Sequence, residues 1–242
     1  MRHAPTTGAH FFFTTAPLPC PYLAGRTERR LVTELLLPLA PVMNDQLSMA
    51  GFRRSHTIAY TPVCEGCSAC VSVRIPVREF RPNKTQRRIF NRNADVRADE
   101  RPPVATPEQF RLFQAYITAR HGDGDMAGMD DMDYRGLIED TPVNSQVVEF
   151  RDGADTLVAA CLVDRLACGL SAVYSFYDVE QEKRSLGVFM VLWLVERARE
   201  MGLDHVYLGY WVEGCRKMDY KRNYRPLEAY TPRGWERLDG TV

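Results

Sequence analysis

Three cysteines stand at two-residue intervals in the stretch "YTPVCEGCSACVSVRIP", as Cys64, Cys67 and Cys70. Thiolates at this spacing suit zinc or the start of a ferredoxin-type iron–sulfur run, although Arg74 occupies the place of the fourth local ligand. Cys20, far upstream, would have to complete a set of four. Alternatively, these cysteines are small buried residues that pack where two chain segments meet. The residues alone leave both interpretations open.

Charged residues are distributed unevenly, although the formal net charge of the chain is zero. Between Arg74 and Arg97, eight Arg or Lys accompany only two carboxylates, whereas seven carboxylates between Asp123 and Asp140 accompany a single arginine. The segment "GCRKMDYKRNYRP" is basic again. Separate patches of one sign predict an anionic partner, with a solvated charged surface as the alternative for either patch alone.

The composition of the 242 residues, 45% apolar and 26% charged, predicts a packed protein with one large domain or two small ones. The N-terminal stretch has no continuous apolar segment of the kind that directs export, so the seven cysteines of the chain are expected to be reduced thiols in the cytoplasm. The longest apolar run, residues 186–195, is too short for a bilayer, which needs about 20 residues. It predicts a buried helix, and no membrane partner.

Periodicity divides the chain into a cysteine-bearing N-terminal domain, residues 1–97, and a second domain, residues 98–242. Alternating stretches "HTIAYTPV" and "CVSVRIPV" predict strands in the first. In the second, Thr106 and Gln109 form a capping box, which predicts a helix that ends near Gly122. Three antiparallel strands, a long helix and a further strand are predicted after it, in the segments "SQVVEF", "TLVAACLVDRL", "GLSAVYSFYDV", "RSLGVFMVLWLVERAREMG" and "DHVYLGY".

This β-β-β-α-β order resembles the acetyltransferase-like (GNAT-like) fold, so the expected class is α+β. That fold usually holds the CoA pyrophosphate on a small-residue loop at a helix N-terminus. Here the matching stretch is "RSLGVF", in which bulky Phe189 replaces the second small residue. An acyltransferase with a donor other than acetyl-CoA is therefore expected.

Four separated motifs, in order, resemble the bacterial aspartate/glutamate leucyltransferases, relatives of the eukaryotic arginyl-tRNA-protein transferases. They are "CPYLAGRTERR", "GFRRSHTIAYTPVCEGCSACVSVRIPVREFRPNKTQRRIFNRN", "SAVYSFYDVEQEKRSLG" and "GYWVEGCRKMDYKRNYRPLEAY". Val179 departs from the family, which commonly has Pro after the "SFYD" aspartate. The resemblance implies transfer of leucine from leucyl-tRNA to the α-amine of proteins that begin with Asp or Glu. Such transfer marks them for N-end-rule degradation and requires no cofactor.

This chemistry needs a base for the amine, donors for the oxyanion and cations for the acidic acceptor and the tRNA. Tyr174 and Asp178, at the end of a predicted strand, are the catalytic candidates, with a core strand as the alternative. The segment "KTQRRIFNRN" offers Arg87 and Arg88 for substrate or tRNA binding. The segment "GCRKMDYKRNYRP", preferred for the active cleft, offers further candidates: Arg216, Lys217, Tyr220, Lys221 and Arg222.

Two rival interpretations remain. The first is an arginyl-tRNA-protein transferase with the same acceptors. The second is a noncatalytic metal- or redox-sensing protein that binds tRNA. The eukaryotic relatives have a similar arrangement of cysteines and have been associated with an iron–sulfur cluster. This resemblance makes Cys20, Cys64, Cys67 and Cys70 the expected ligands of a cluster or zinc. Cys161, Cys168 and Cys215 are expected to be structural.

Overall fold

The computed structural model describes residues 11–122 and 125–238. The first ten residues, on which the expectation of no export partly rests, lie outside the described residues. So does Asp123 of the acidic segment. None of the helices in the described part of the chain is long and apolar enough to cross a membrane.

The strands follow one another along both predicted domains. They are β1 (Phe13–Thr14), β2 (Leu18–Pro19), β3 (Thr27–Glu28), β4 (Arg30–Glu34), β5 (Arg53–Ser55), β6 (Ile58–Pro62), β7 (Cys70–Pro76), β8 (Arg97–Arg101), β9 (Ser145–Arg151), β10 (Leu157–Leu166), β11 (Gly169–Tyr177), β12 (His205–Val212), β13 (Glu228–Thr231) and β14 (Gly234–Arg237). The stretches predicted as strands correspond to β6, β7, β9, β10, β11 and β12.

The α-helices are α1 (Ala40–Met49), α2 (Lys84–Arg92), α3 (Pro107–His121), α4 (Asp131–Glu139) and α5 (Leu186–Glu200). The predicted capping box opens α3, because the Thr106 side chain accepts from the Gln109 N–H and Gln109 reaches back to Thr106. A second capping box, Asn83 with Gln86, opens α2. Three short 3-10 turns are also present in the described residues, at Asp125–Gly128, Val179–Arg184 and Asp219–Asn223.

The central sheet has eight strands, in the order β14-β13-β7-β12-β11-β10-β9-β8. Strands β9, β10 and β11 are antiparallel neighbours, and β12 follows α5 and pairs with β11 in parallel. The predicted α+β class and the acetyltransferase-like element order are therefore confirmed. Strand β7, from the predicted N-terminal domain, lies between β12 and β13, so the two predicted segments share this sheet. The boundary at residue 97 stays a prediction.

Helices cover both faces of the central sheet. Helices α5 and α2 pack on one face, around buried residues such as Val195, Val206 and Phe189. Phe189 is 3% exposed and packs against Phe90 and Phe150, with ring centroids 5.6 and 5.8 Å away. Helices α3 and α4 cover part of the other face through a smaller core. Helix α5 is buried on more than one side, and this burial explains why its apolar residues are not confined to a single stripe.

A four-stranded sheet, in the order β1-β4-β6-β5, belongs to the N-terminal part. It reaches the central sheet through Tyr60, which packs beside buried Tyr210 of β12 with ring centroids 5.9 Å apart. Arg54 of β5 makes a buried ion pair with Asp164 of β10, at 2.6 Å. These contacts hold β5 against the central sheet, next to the point at which β11 and β12 separate.

Candidate active site

The candidate site lies where the parallel strands β11 and β12 separate. They pair only at Gly169 with His205, Leu170 with Val206, and Ser171 with Tyr207. Beyond these pairs, the backbone groups of β11 that face β12 have no partner in that strand. Strand β12 also changes its register with β7 between Tyr207 and Gly209. The divergence leaves room for a side chain from another element.

Arg53 of β5 occupies this divergence and bridges the two strands. Its Nη2 donates to the Val173 carbonyl oxygen of β11, at 2.5 Å. On the other side it lies against Gly209 of β12, where an added Cβ would be 2.4 Å from Nη1. Gly209 has φ +71°, a conformation that favours glycine. Glycine at position 209 therefore permits this backbone conformation and also leaves the space that the Arg53 guanidinium occupies.

Tyrosines surround the guanidinium of Arg53. Tyr174 of β11 and Tyr220 of the 3-10 turn Asp219–Asn223 are within electrostatic range of it. Burial raises the pKa of Tyr174 to about 12, and Arg53 opposes the rise. Tyr174 therefore carries its proton at neutral pH and can donate a hydrogen bond to a developing oxyanion, whereas a role as general base is disfavoured.

Two further tyrosines extend this aromatic wall towards α3. Tyr116 of α3 and Tyr177 of β11 have ring centroids 4.9 Å apart. Burial raises the pKa of Tyr116, and Tyr177, Tyr174 and Tyr220 add to the rise. Tyrosine hydroxyls from a strand, a helix and a turn therefore face one region.

Lys221 is a second basic side chain in this region, and the protein interior encloses it. It is 3% exposed, and its Nζ donates to the Tyr210 carbonyl oxygen at 2.5 Å. Burial, together with the charge of Arg53, lowers the pKa of Lys221 to about 7. Among the described residues, neither Arg53 nor Lys221 has a carboxylate within ion-pair distance. Arg53, a cation without a counterion among the described residues, favours the binding of an anion.

The second catalytic candidate, Asp178, is occupied within its own turn. Its Oδ1 accepts from the Glu180 N–H at 3.0 Å and its Oδ2 accepts from Gln181 Nε2 at 2.9 Å. This carboxylate caps the turn that precedes α5. The structure therefore gives Asp178 a local structural role and associates Tyr174, its predicted partner, with Arg53. A catalytic role for Asp178 stays a prediction.

The two predicted basic patches lie side by side. Gln86 of α2 donates from Nε2 to the Asn223 carbonyl oxygen at 3.0 Å, and Phe80 and Tyr224 have ring centroids 6.3 Å apart. We call five of the exposed cations of these two segments the basic surface: Lys84, Arg87, Arg88, Arg216 and Lys217. No carboxylate of the described residues pairs with them. Arg222, beside them, lies over the Trp211 ring at 5.3 Å from its centroid.

Models of the arginine-tRNA-protein transferase family match this chain twice. The C-terminal model matches residues 108–231 and the N-terminal model matches residues 18–88. An aspartate/glutamate leucyltransferase of Paramagnetospirillum magneticum is 56% identical over 98% of this chain and 98% of its own length. One of Rhodospirillum rubrum is 53% identical over 99% of this chain and 98% of its own. This chain belongs to the aspartate/glutamate leucyltransferases.

The family resemblance carried by the four motifs is thereby confirmed. Among solved structures, L-PGS from Bacillus licheniformis is similar with a TM-score of 0.47 and 14% identity, over 60% of this chain and 46% of that chain. In this leucyltransferase family member, the candidate site is Arg53, which has unused donors, beside tyrosine side chains and next to a basic surface.

The four N-terminal cysteines of this family member approach one another. Burial raises the pKa of Cys70 to about 12, and the charges of Cys20, Cys64 and Cys67 add to the rise. A set of four thiols has the donor chemistry that zinc or an iron–sulfur cluster requires. Among the described residues, however, no three His, Cys, Asp or Glu side chains are arranged as a ligand set. The donor types suit such a group, and a metal at these cysteines stays a prediction.

The remaining cysteines and Arg53 show what sequence reasoning reached and what it missed. Cys161 and Cys215 are buried, as a structural role requires, and Cys168 is half-buried. Arg53 was not among the candidate residues, although it lies in the motif "GFRRSH". The motif indicated that this segment was of interest, but the sequence does not indicate which of the two adjacent arginines faces the site.

Proposed function

We propose that this chain transfers leucine from leucyl-tRNA to the α-amine of proteins that begin with Asp or Glu. In the cytoplasm, this transfer would mark such proteins for degradation by the N-end rule. The observation that carries the proposal is Arg53, a cation that no carboxylate of the described residues neutralises, beside Tyr174 and Tyr220. The names of relatives that cover nearly the whole chain support the same function.

The reaction is an aminolysis of an ester that is already activated. The neutral α-amine attacks the carbonyl carbon of the leucyl ester, a C–N bond forms, and the bond from that carbon to the ribose oxygen breaks. The proton lost by the amine ends on the released ribose hydroxyl. An α-amine has an ordinary pKa of roughly 7.7 to 8.0, and nearby cations such as Arg53 disfavour its protonated form. The protonated hydroxyl of Tyr174 would donate to the oxyanion.

The basic surface is the proposed binding site for the tRNA. Its exposed cations can contact backbone phosphates, and the half-exposed ring of Tyr220 offers a stacking platform for an unpaired base of the acceptor end. Gln86 connects this surface to the turn that carries Lys221. A tRNA bound there would place its aminoacyl end near the divergence of β11 and β12.

Transfer assays with matched donors and acceptors test this function. Purified protein is supplied with labelled leucyl-tRNA or arginyl-tRNA and with peptides that differ only in the first residue: Asp, Glu, Lys or Ala. We expect leucine on the Asp and Glu peptides alone. Arginine transfer would overturn the donor assignment, and no transfer with either tRNA would favour a noncatalytic tRNA-binding protein.

A zinc ion or an iron–sulfur cluster at Cys20, Cys64, Cys67 and Cys70 is a separate proposal, supported by the sulfur-rich donor set alone. Transfer requires no such group in the reaction written above. Metal and sulfide analysis of the protein purified without oxygen tests it, with the double variant Cys64→Ser, Cys67→Ser as the control. Metal in the native protein that this variant lacks would support the site, and equal metal content in both would contradict it.

A further inference from the structure

Arg53 has more hydrogen-bond donors than the described protein atoms use. A guanidinium carries five N–H groups, and in the described residues the side chain of Arg53 makes one hydrogen bond, to the Val173 carbonyl oxygen. Its other nitrogens are not among the buried polar atoms that lack a partner, so they remain accessible to a small molecule or to water. Arg53 is therefore positioned by the protein but not saturated by it.

The unused donors form a planar fork, and planar forks bind carboxylates through two parallel hydrogen bonds. The surroundings fix where that fork lies. The Val173 carbonyl oxygen holds one side of the guanidinium, and the backbone of Gly209 lies against the other side, where a Cβ would overlap Nη1. A small planar anion that enters the divergence thus meets a rigid donor pair.

We propose that Arg53 forms the subsite that receives the side-chain carboxylate of the acceptor's first residue. This inference rests on the proposed function and names its specificity-determining residue. A terminal phosphate of the tRNA is the other anion that could enter. The carboxylate is favoured because the exposed cations of the basic surface already serve phosphates, whereas Arg53 is half-buried among tyrosines. Bidentate binding at one site also explains a common preference for Asp and Glu.

The test compares acceptors that differ only in charge. Rates of leucine transfer are measured for peptides that begin with Asp, Asn, Glu or Gln, at saturating leucyl-tRNA, with wild-type protein and Arg53→Gln. We expect the ratio of kcat/KM for Asp over Asn, and for Glu over Gln, to fall about 30-fold or more in Arg53→Gln. The KM for leucyl-tRNA should stay within about twofold, because the phosphate contacts lie elsewhere.

Two further variants keep the test decisive if Arg53→Gln does not fold. Arg53→Lys retains the charge without the fork, and Gly209→Ala crowds Nη1 while keeping Arg53. Each should lower the Asp-over-Asn ratio less than Arg53→Gln does. Arg216→Gln, on the basic surface, is the matched control that should raise the KM for leucyl-tRNA and leave the ratio unchanged.

The outcomes separate the inference from the function beneath it. Equal loss of transfer to Asp and Asn peptides in Arg53→Gln, Arg53→Lys and Gly209→Ala would overturn the inference. The proposed function would be unaffected, because the wild-type protein would still transfer leucine. A raised KM for leucyl-tRNA with an unchanged ratio would assign Arg53 to the tRNA phosphate instead. If the wild-type protein transfers leucine to none of the peptides, the proposed function itself fails.

Discussion

Two adjacent arginines of β5 have opposite environments. Arg54 donates from Nε and Nη2 to the two oxygens of Asp164, at 2.6 and 2.7 Å, and also to the His56 carbonyl oxygen. Arg53, which faces the other side of the strand, has one backbone acceptor and no carboxylate. The first guanidinium is saturated and clamps two sheets together. The second is held in place but left open, which is the condition for binding a ligand.

The comparison shows how a protein can use one residue type for stability and for function within a single dipeptide. Asp164 is 1% exposed and Ser145 adds a third donor to it at 2.6 Å, so its charge is fully compensated inside the fold. Nothing equivalent faces Arg53 among the described residues. A cation without a counterion lowers the folding stability of a protein, so its presence indicates a role in function.

The largest expected effect is the difference in the free energy of unfolding between variants of Arg54 and of Arg53. Arg54→Met should lower the free energy of unfolding by about 3 to 5 kcal/mol, because it leaves Asp164 buried without its counterion. Arg53→Met, which removes one hydrogen bond, should change it by about 1 kcal/mol or less. Urea unfolding followed by circular dichroism measures both. Equal losses in the two variants would remove the distinction on which the comparison rests.

A second prediction concerns the hydroxyl that accompanies Arg53. Tyr174→Phe should lower kcat by about 100- to 1,000-fold, because an oxyanion donor is lost. The pH dependence of kcat below pH 9 should keep its shape, since burial holds the pKa of Tyr174 at about 12. Single-turnover transfer at several pH values measures both quantities. An inflection near neutral pH that disappears in the variant would identify Tyr174 as the base and contradict its role as a donor.

The pH dependence of stability tests the buried partner of Arg53. Burial lowers the pKa of Lys221 to about 7, so between pH 7 and its ordinary value of 10.5 the unfolded chain binds more protons than the folded one. Wild-type stability should therefore rise relative to Lys221→Met as the pH increases from 7 to 9, by about 1 kcal/mol for each pH unit. Arg53 and Cys215 are the ionisable groups that face Lys221.

Thermal or urea unfolding of both proteins at pH 6, 7, 8 and 9 provides this measurement. Below pH 7 the difference between them should be constant, because both states of the wild type then carry the protonated lysine. Parallel curves from pH 7 to 9 would mean that Lys221 keeps its ordinary pKa, and the interior would have to hold a second full charge beside Arg53.

The smallest expected effects lie on the basic surface. Arg88→Gln or Lys217→Gln should weaken tRNA binding only a few-fold. Each should reduce the slope of log affinity against log salt by about 0.7, the value for one single-strand phosphate contact. Fluorescence titration of leucyl-tRNA between 50 and 300 mM salt measures the slopes. An unchanged slope in every basic-surface variant would show that the tRNA binds another face.

Local patterns predicted many elements of the fold. The capping box at Thr106 predicted the start of α3, and segments separated by Asp-Gly and Cys-Gly turn signals predicted β9, β10 and β11 within a few residues. The place of β7 between β12 and β13 could not be predicted, because strands distant in sequence pair through a register that local periodicity does not encode. Helix α2 was not predicted either, although Asn83 and Gln86 form its capping box.

The candidate site was predicted in its parts and not in its assembly. Tyr174, Tyr220 and Lys221 were named from their motifs, and the structure brings them to Arg53. Lys221, grouped with exposed cations, is buried, because the turn that carries it folds against β12. Which of Arg53 and Arg54 lies in the site depends on which face of β5 packs against β11. That packing is tertiary structure, and the local sequence does not predict it.

The most direct test of this account is the affinity of wild-type protein and Arg53→Gln for peptides that begin with Asp or Asn. Isothermal titration calorimetry in the presence of saturating uncharged tRNA measures binding without chemistry. The account predicts that wild-type protein binds the Asp peptide at least about tenfold more tightly than the Asn peptide, and that Arg53→Gln binds the two alike. Equal preference for Asp in both proteins would contradict it.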